Sequence, residues 1–313
     1  MILTGCVIAA LALAATWFLA TQPFVQARPW AGGKASPERL ERHVRVLSQV
    51  LPARGDDARA LARAAEYVFD AFQRHGRPEY QKFSVSGVEY RNVVMRIGPG
   101  SGRTIVVGAH YDTWAGLPGA DDNASGVAGL IELARLLAGA SPRIDVELVA
   151  YALEEPPYFG TRDMGSWRHA EQSRAELAIV LEMIGYFRDE PGSQHYPLPL
   201  LRFAYSDRGD FIALIGRIRE MRAVRTMKGA FLGAANVGTH VLTFPPIVPG
   251  VGLSDHSSYW ASGIPAVMIT DTAYERNPNY HTAQDTFDTL DYRRMAEVVT
   301  GVYASLFALA GDT

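Results

Sequence analysis

Short apolar runs alternate along the chain with longer segments in which apolar residues recur at helical spacing. Nearly continuous apolar runs are typical of strands covered on both faces, as in a mostly parallel sheet. The predicted strands cover residues 90–97, 104–109, 146–153, 178–181 and 266–269. The predicted helices cover residues 57–75, 127–138 and 292–309, and a further helix begins after Ser36. This alternation predicts one α/β domain with a doubly wound sheet.

The N-terminus is an uncharged apolar run over residues 2–20, and the first basic residue is Arg28. About 20 apolar residues span a bilayer as a helix, and such a run also resembles the core of a signal peptide. Val25, Gln26 and Ala27 are typical of a signal-peptide cleavage site. We therefore expect residues 1–27 to be a signal peptide or membrane anchor and residues 28–313 to be an exported or membrane-anchored domain, in the periplasm or outside the cell. A buried N-terminal helix and lipidation at Cys6 are the less favoured interpretations.

Residues 229–252 interrupt the alternation, because they are rich in proline and glycine. Long irregular segments in compact domains are often functional lids. The segment is therefore expected to be either a lid or a hairpin.

Composition narrows the class of protein. The chain has 313 residues, of which 48% are apolar, so it can bury a large core and is not a disordered chain. A net charge of −3 provides no electrostatic footprint for nucleic acid, and no nucleic-acid partner is expected. The single cysteine excludes a disulfide scaffold and a cysteine-based zinc cage.

Histidine and acidic side chains follow four of the apolar runs, directly or after a loop. Because open α/β sheets bind ligands outside the carboxyl ends of their strands, these side chains are expected to meet at one edge. They are His110, Asp112, Glu154, Glu155, Glu182 and His281, and the segment 119–126 adds Asp121 and Asp122. Imidazole and carboxylate ligands suit Zn²⁺, and also Mn²⁺ or Co²⁺. Two histidines are few for one zinc ion but natural for two ions that share a carboxylate.

Spacing indicates different roles for neighbouring residues. Because side chains alternate along an extended segment, Asp112 can accept the second ring N–H of a metal-bound His110. Glu154 and Glu155 point in different directions for the same reason. One of the two is therefore expected to hold a metal while the other takes a proton from the attacking water.

Four segments together resemble the motif blocks of the M28 family of zinc peptidases. They read HYDTWAGLPGADDNASGVAGLIELARLL from residue 110, ALEEPPYFGTRDMGS from 152, VLEMIGYF from 180 and SDHSSYWASGIPAVMITDTAYERNPNYHTAQDTFDTLD from 254. The similarity covers about residues 91–309, with a divergent stretch at about 188–252. It implies a phosphorylase/hydrolase-like α/β fold, with a mixed, mostly parallel central sheet flanked by helices. It also implies two zinc ions and a peptide substrate, since members are mostly aminopeptidases, with some carboxypeptidases and dipeptidases.

The resemblance assigns metal ligands by motif. It implies that His110 and Glu182 bind one metal, that Glu155 and His281 bind the other, and that Asp122 bridges the two. Many relatives have aspartate where this chain has Glu182. Members also tend to hold the peptide bond after the bridging aspartate in cis.

The resemblance assigns further roles near the metals. It implies that Glu154 is the general base and that Asp112 is the partner of His110. His256 lies in the SDHS segment, where it is expected either to stabilise the oxyanion or contact substrate, or to form a structural pair with Asp255. Trp114 and Tyr186 are expected to be packing or pocket walls, and Asp121 to fix its loop. His43, His75 and His169 lie on polar stretches and are expected to face solvent.

Three functions compete at this point. A two-zinc exopeptidase, most of all an aminopeptidase, needs every ligand and the base, and all are present. A glutaminyl cyclase is an acyl-transfer relative that works with one zinc ion, and a metal-free domain would have lost ligands. An aminopeptidase meets a free α-amine with an acidic group, whereas a carboxypeptidase meets a carboxylate with arginine or lysine. Both kinds of residue lie near the motifs, namely Arg162, Arg188, Arg276 and Glu190, so the sequence leaves that choice open.

Overall fold

The computed structural model describes residues 17–51, 54, 55, 57–243 and 248–311. Most of the apolar run at residues 2–20, on which the expected signal peptide or anchor rests, lies outside the described residues. Within the described part of the chain, no helix is both long enough and apolar enough to cross a bilayer.

Eight strands in the described part of the chain form one mixed sheet. They are β1 (Pro78–Val85), β2 (Val88–Ile97), β3 (Thr104–His110), β4 (Asp145–Tyr151), β5 (Leu177–Glu182), β6 (Phe211–Gly216), β7 (Gly238–Thr243) and β8 (Ala266–Thr270). Their order is β1-β2-β4-β3-β5-β8-β6-β7. The central strands β4, β3, β5 and β8 run parallel, whereas β1, β2 and β6 each have an antiparallel neighbour. The predicted mixed, mostly parallel centre is confirmed.

Helices cover both faces of the sheet. They are α1 (Pro37–Arg45), α2 (Ala58–Gln73), α3 (Gly126–Ala138), α4 (Gly165–Ala170), α5 (Met221–Ala234), α6 (His256–Ala261) and α7 (Tyr292–Ala310). Val107 of β3 packs in the main core with α1, α2, α3, α5 and α7. Its neighbour Val106 points to the other face, where Tyr259 of α6 and Ala170 of α4 cover it. The apolar runs are continuous because both faces of these strands are covered.

Local signals explain where the predicted helices begin. The Ser36 side chain accepts a hydrogen bond from the amide of Arg39, and the Asp57 side chain accepts one from Arg59. Such N-caps satisfy amides that have no partner within the helix. The helices predicted after Ser36 and over residues 57–75, 127–138 and 292–309 are confirmed.

The prediction for residues 229–252 is wrong in its first half. Residues 229–234 end α5, and residues 238–243 form β7. Gly233 lies within this helix, and the backbone of Arg28 crosses the helix at that point, where a side chain would not fit. A Cβ atom at Gly233 would lie 1.6 Å from the carbonyl oxygen of Arg28. The glycines therefore mark a close backbone contact rather than an irregular segment.

The segment before Arg28 contacts α5 and β7. Lys228 donates hydrogen bonds to the carbonyl oxygens of Thr21 and Gln22, at 3.2 and 2.8 Å. The Thr243 hydroxyl donates to the carbonyl oxygen of Leu19 at 2.5 Å. The described residues on both sides of the possible cleavage site are thus in contact with the domain.

Candidate metal centre

The carboxyl ends of the central strands bring the candidate ligands together. His110 is the last residue of β3 and Glu182 the last residue of β5. Glu154 and Glu155 follow β4, which lies beside β3 in parallel register. The parallel pairing of β3 with β4 and β5 therefore places three chain segments at one edge of the sheet.

The first group of candidate ligands surrounds the ring of His110. Its Nε2 atom lies 3.3 Å from Oδ1 of Asp122 and 3.4 Å from Oε2 of Glu182. All three side chains are buried. Ligands at ~2.1 Å from a tetrahedral ion lie about 3.4 Å from each other, so these separations fit one zinc ion.

The second group surrounds the ring of His281. Its Nε2 atom lies 3.1 Å from Oδ2 of Asp122 and 3.4 Å from Oε1 of Glu155. Asp122 therefore offers one carboxylate oxygen to each group. In each group the three ligand atoms lie within 4.8 Å of one another.

Unsatisfied buried atoms test whether the residues fit metal ions. Nε2 of His110, Nε2 of His281 and Oε1 of Glu155 are buried and have no hydrogen-bond partner in the described structure. A buried polar atom without a partner costs about 1–3 kcal/mol. Burial raises the pKa of Glu155 to about 7, and it raises the pKa of Glu154 well above its ordinary value. Bound cations would satisfy the three atoms and stabilise the ionised carboxylates.

Glu154 lies beside the two groups but belongs to neither of them. Its Oε2 atom is 3.9 Å from Nε2 of His110, and its side chain is 9% exposed. The backbone conformation just before it is unusual, since Leu153 has a φ of 62°. Met183, directly after Glu182, and His281 also have positive φ angles, of 51° and 55°. Such left-handed non-glycine residues are strained and cluster at functional sites.

Asp112 differs from its expected arrangement. The Nδ1 atom of His110 is 3.2 Å from the main-chain oxygen of Asp112 and 3.6 Å from its carboxylate. The carboxylate instead accepts hydrogen bonds from the amides of Glu154 and Glu155, at 3.1 and 2.9 Å. The main-chain oxygen is therefore the closer partner of the ring, and the carboxylate holds the Glu-Glu turn.

The loop that carries Asp122 is fixed by two carboxylates and an arginine. Asp285 accepts hydrogen bonds from the amides of Asp121 and Asp122, at 2.9 and 3.0 Å. The Asp121 side chain accepts from the amide of Gly185, which follows the Glu182 strand. Fully buried Arg54 donates to the carbonyl oxygen of Gly119 at 2.8 Å. Asp121 thus fixes the loop as expected, and the Asp122–Asn123 peptide bond is cis as the resemblance implies.

Two aromatic rings hold His281. Trp114 stacks on one side of its imidazole with ring centroids 4.7 Å apart, and Tyr280 stacks at 3.8 Å. Trp114 is therefore a wall of the site, as expected. Sequence reasoning missed Tyr280 and Asp285, although both lie in the motif that contains His281.

The structure bears on the expectations for two further histidines. Nε2 of His256 is 2.7 Å from the carbonyl oxygen of Val251, and the side chain is fully buried. His256 belongs to neither ligand group, and its contact is structural, although its partner is the loop at Val251 rather than Asp255. His169 is not solvent-facing, because its Nδ1 atom lies 2.6 Å from the buried hydroxyl of Tyr259.

The arginines near the motifs are engaged elsewhere or exposed. Arg276 is buried and donates to Gln194 and to the carbonyl oxygens of Tyr186 and Phe211. Arg188 donates to the Tyr186 hydroxyl, and the Arg162 side chain is 78% exposed. None of the arginines or lysines in the described chain lines the three pockets at the site.

An apolar pocket opens beside Glu182. It occupies about 880 Å³, including its open mouth. Its floor is the sheet surface of β6, β7 and β8, and its walls come from the segments 194–205, 248–253 and 272–280. The stretch that diverges from the family motifs therefore builds much of this pocket.

A sheet with histidine and carboxylate groups at the ends of its parallel strands is the arrangement of a metal-dependent α/β hydrolase. The pattern of peptidase family M28 matches residues 92–306. The chain is 47% identical over 298 residues to the uncharacterized protein YfbL of Escherichia coli (strain K12). The aligned region covers 91% of this chain and 92% of YfbL. The chain therefore belongs to peptidase family M28 and is a metallo-exopeptidase.

More distant relatives share part of the chain or the fold. A probable leucine aminopeptidase of Trichophyton verrucosum (strain HKI 0517) is 27% identical over 66% of this chain, which spans about half, 54%, of the fungal protein. BSAP, a zinc aminopeptidase from Bacillus subtilis, has a TM-score of 0.68 at 13% identity over 87% of this chain and 94% of its own. The glutaminyl cyclase of Fimbriiglobus ruber has a TM-score of 0.65 at 19% identity, over 90% of this chain and 99% of the cyclase. At such identities these two structures show a common fold, and the α/β expectation is confirmed.

Proposed function

We propose that this metallo-exopeptidase is an aminopeptidase that works with two zinc ions. The observation that carries the proposal is the position of Asp122, whose two oxygens face two separate ligand groups. A shared carboxylate is suited to a pair of ions ~3.5–4 Å apart. His110 and Glu182 would complete one site, and Glu155 and His281 the other.

The chemistry would be divided between the ions and Glu154. When bound, zinc ions lower the pKa of a water molecule and polarise the scissile carbonyl group. Glu154 would take the proton of the attacking water and pass it to the leaving amine. Its carboxylate is available because it belongs to neither ligand group. The carboxylate of Asp112 would position Glu154 and Glu155 through their amides.

The charge of the cleft supports an aminopeptidase over a carboxypeptidase. A peptide carboxylate needs a cationic side chain, and no described arginine or lysine lines the pockets at the site. A free α-amine needs an acidic side chain, and Glu275 lines the apolar pocket without belonging to either ligand group. The apolar pocket would then take the side chain of the N-terminal residue.

A second candidate is cyclisation of an N-terminal glutamine on a single zinc ion, since the fold is shared with glutaminyl cyclases. Both ligand groups of this chain are complete, which supports two ions rather than one.

Location follows from the N-terminal run. We propose that residues 2–20 export the domain or anchor it at a membrane, because the run is apolar and uncharged. The full chain is then expected in the membrane or exported fraction after cell fractionation. Recovery of the full chain in the cytosolic fraction at ordinary expression would contradict this location.

A panel of peptides tests the proposed reaction. The zinc-loaded protein should cleave peptides with a free α-amine and leave N-acetylated versions of the same peptides intact. C-terminal amidation should have little effect. Cleavage of the blocked peptides, with loss of activity on the amidated ones, would indicate a carboxypeptidase. Formation of pyroglutamate without hydrolysis would indicate the cyclase.

A further inference from the structure

The pocket beside Glu182 extends across the sheet to the edge strand β7. Glu182 ends β5, and β8 and β6 separate β5 from β7. Strands lie ~4.8 Å apart, so three spacings correspond to roughly 14 Å. Both Glu182 and His240 of β7 line the pocket. A side chain that fills this space must be long, and leucine would leave its far end open.

The far part of the pocket is aromatic. Phe211 and Tyr205 pack against the His240 ring, with centroids 4.3 and 5.3 Å away and interplanar angles near 61° and 62°. Tyr196 stacks on Tyr205 at 6.0 Å. Aromatic rings favour edge and offset contacts with another ring over contacts with a flexible aliphatic chain of the same area. The lining therefore favours an aromatic occupant.

The hydroxyl groups of these tyrosines are already used. Tyr205 donates to the carbonyl oxygen of Val241 at 2.6 Å, and Tyr196 donates to the carbonyl oxygen of Ser206 at 2.5 Å. The ring nitrogens of His240 have no hydrogen-bond partner among the described residues. Burial lowers the pKa of His240 to about 4. The ring is therefore neutral at pH 7, with one N–H donor and one nitrogen acceptor.

We propose that His240 recognises the polar tip of a large aromatic side chain, so that the enzyme prefers an N-terminal tyrosine. The inference rests on the proposed aminopeptidase activity and specifies its substrate. The tyrosine ring would lie among Tyr205, Phe211 and Tyr196, and its hydroxyl would exchange a hydrogen bond with His240. Phenylalanine would fill the same space but leave His240 unpaired, and leucine would also lose the ring contacts.

Matched aminoacyl substrates test the preference. The wild-type protein should show a kcat/KM for a tyrosyl substrate about 10-fold above that for the phenylalanyl analogue, the effect of about one neutral hydrogen bond. His240→Phe keeps the ring contacts and removes both nitrogens, so it should reduce this ratio to near one through its effect on tyrosine. His240→Gln should restore part of the ratio. His75→Phe, the same exchange outside the pocket, should leave the ratio at the wild-type value.

If the variants fail to fold, two measurements on the wild-type protein still test the preference for tyrosine. The first is the ratio of kcat/KM for the tyrosyl and phenylalanyl substrates. The second is thermal unfolding, from which L-tyrosinol should protect the zinc-loaded protein more strongly than L-phenylalaninol. A tyrosyl-to-phenylalanyl ratio near one in the wild-type protein, or a preference for leucyl, methionyl or lysyl substrates, would overturn the role of His240 and leave the aminopeptidase intact. Absence of cleavage of every aminoacyl substrate would overturn the proposed function itself, and the inference with it.

Discussion

Glu154 and Glu155 are neighbours with different surroundings. Glu155 has an oxygen 3.4 Å from Nε2 of His281, whereas Glu154 belongs to neither ligand group. The sequence predicted that the pair would divide into ligand and base, and the resemblance gave the order. The geometry is consistent with that order, which variants can test.

Glu154→Gln keeps the size of the side chain and removes its proton acceptor. We expect kcat to fall by at least about 100-fold, since proton transfer by a placed group contributes ~10²–10⁴ in rate. The zinc content should stay at the wild-type level. Steady-state kinetics and metal analysis on the same sample measure both quantities.

Glu147→Gln is the matched control, because Glu147 is a buried glutamate in β4, on the strand that precedes the Glu-Glu pair. It should keep both activity and zinc. If Glu154→Gln loses zinc instead, Glu154 is a ligand and the roles of the pair are reversed.

Single residues also limit what the sequence can predict. The alternation of side chains placed Asp112 on the same side as His110, but its carboxylate binds the amides of Glu154 and Glu155. Those amides come from another strand end, and only the folded sheet brings them within reach. Periodicity along one segment does not contain contacts between segments.

At the scale of elements, buried polar anchors hold the loops of the site in register. Arg54 is 1% exposed and donates to the carbonyl oxygens of Leu47, Tyr111 and Gly119. It therefore joins the turn that follows α1 to the segments that carry His110 and Asp122. Three nitrogens of its planar guanidinium group each donate to a different carbonyl oxygen, and the single ammonium group of a lysine cannot cover the same spread of positions.

Arg54→Lys is expected to lower the free energy of unfolding by roughly 1–3 kcal/mol, because at least one buried carbonyl group loses its donor. Urea denaturation followed by circular dichroism measures the change. The same exchange at exposed Arg59 is the control and should stay within about 0.5 kcal/mol of the wild-type value. Equal stabilities of the two variants would show that Arg54 does not anchor these loops.

Elements differ in how well their sequence predicts them. β3, β4, β5 and β8 are buried on both faces, and their continuous apolar runs identify them. β6 carries the same signal in Phe211–Gly216, although it is not among the predicted strands. β7 lies at the sheet edge and alternates between buried and half-buried residues, so it has no continuous apolar run. α5 contains glycines because the backbone of residues 26–28 passes close to it, and these glycines resemble a loop in the sequence. The pocket could not be predicted because these elements, with the divergent loops, build it.

At the scale of the whole molecule, the described residues before Arg28 act as part of the domain. Lys228 is 9% exposed, and its amine donates to the carbonyl oxygens of Thr21 and Gln22. Arg225 donates to the Gln22 side chain and to the carbonyl oxygen of Phe24. A chain that begins at Arg28 loses all of these partners.

We expect a chain that begins at Arg28 to fold but to be less stable than one that begins at Trp17, by roughly 1–3 kcal/mol for the unpaired ammonium group. Thermal and urea unfolding of the two chains measure the difference. Lys228→Met removes the unpaired charge and should destabilise the longer chain more than the shorter one. Equal stability of the two unmodified chains would show that the segment contributes nothing to the fold.

The central claim is that one carboxylate serves two zinc ions, and zinc per chain after dialysis tests it most directly. The wild-type protein should retain two ions. His281→Ala should retain about one, because His110, Asp122 and Glu182 still form a group. Asp122→Ala should retain fewer than one, since both groups lose a ligand and the repulsion between the dications is less offset. A wild-type value of one or zero, or an Asp122→Ala value equal to that of His281→Ala, would contradict the shared site.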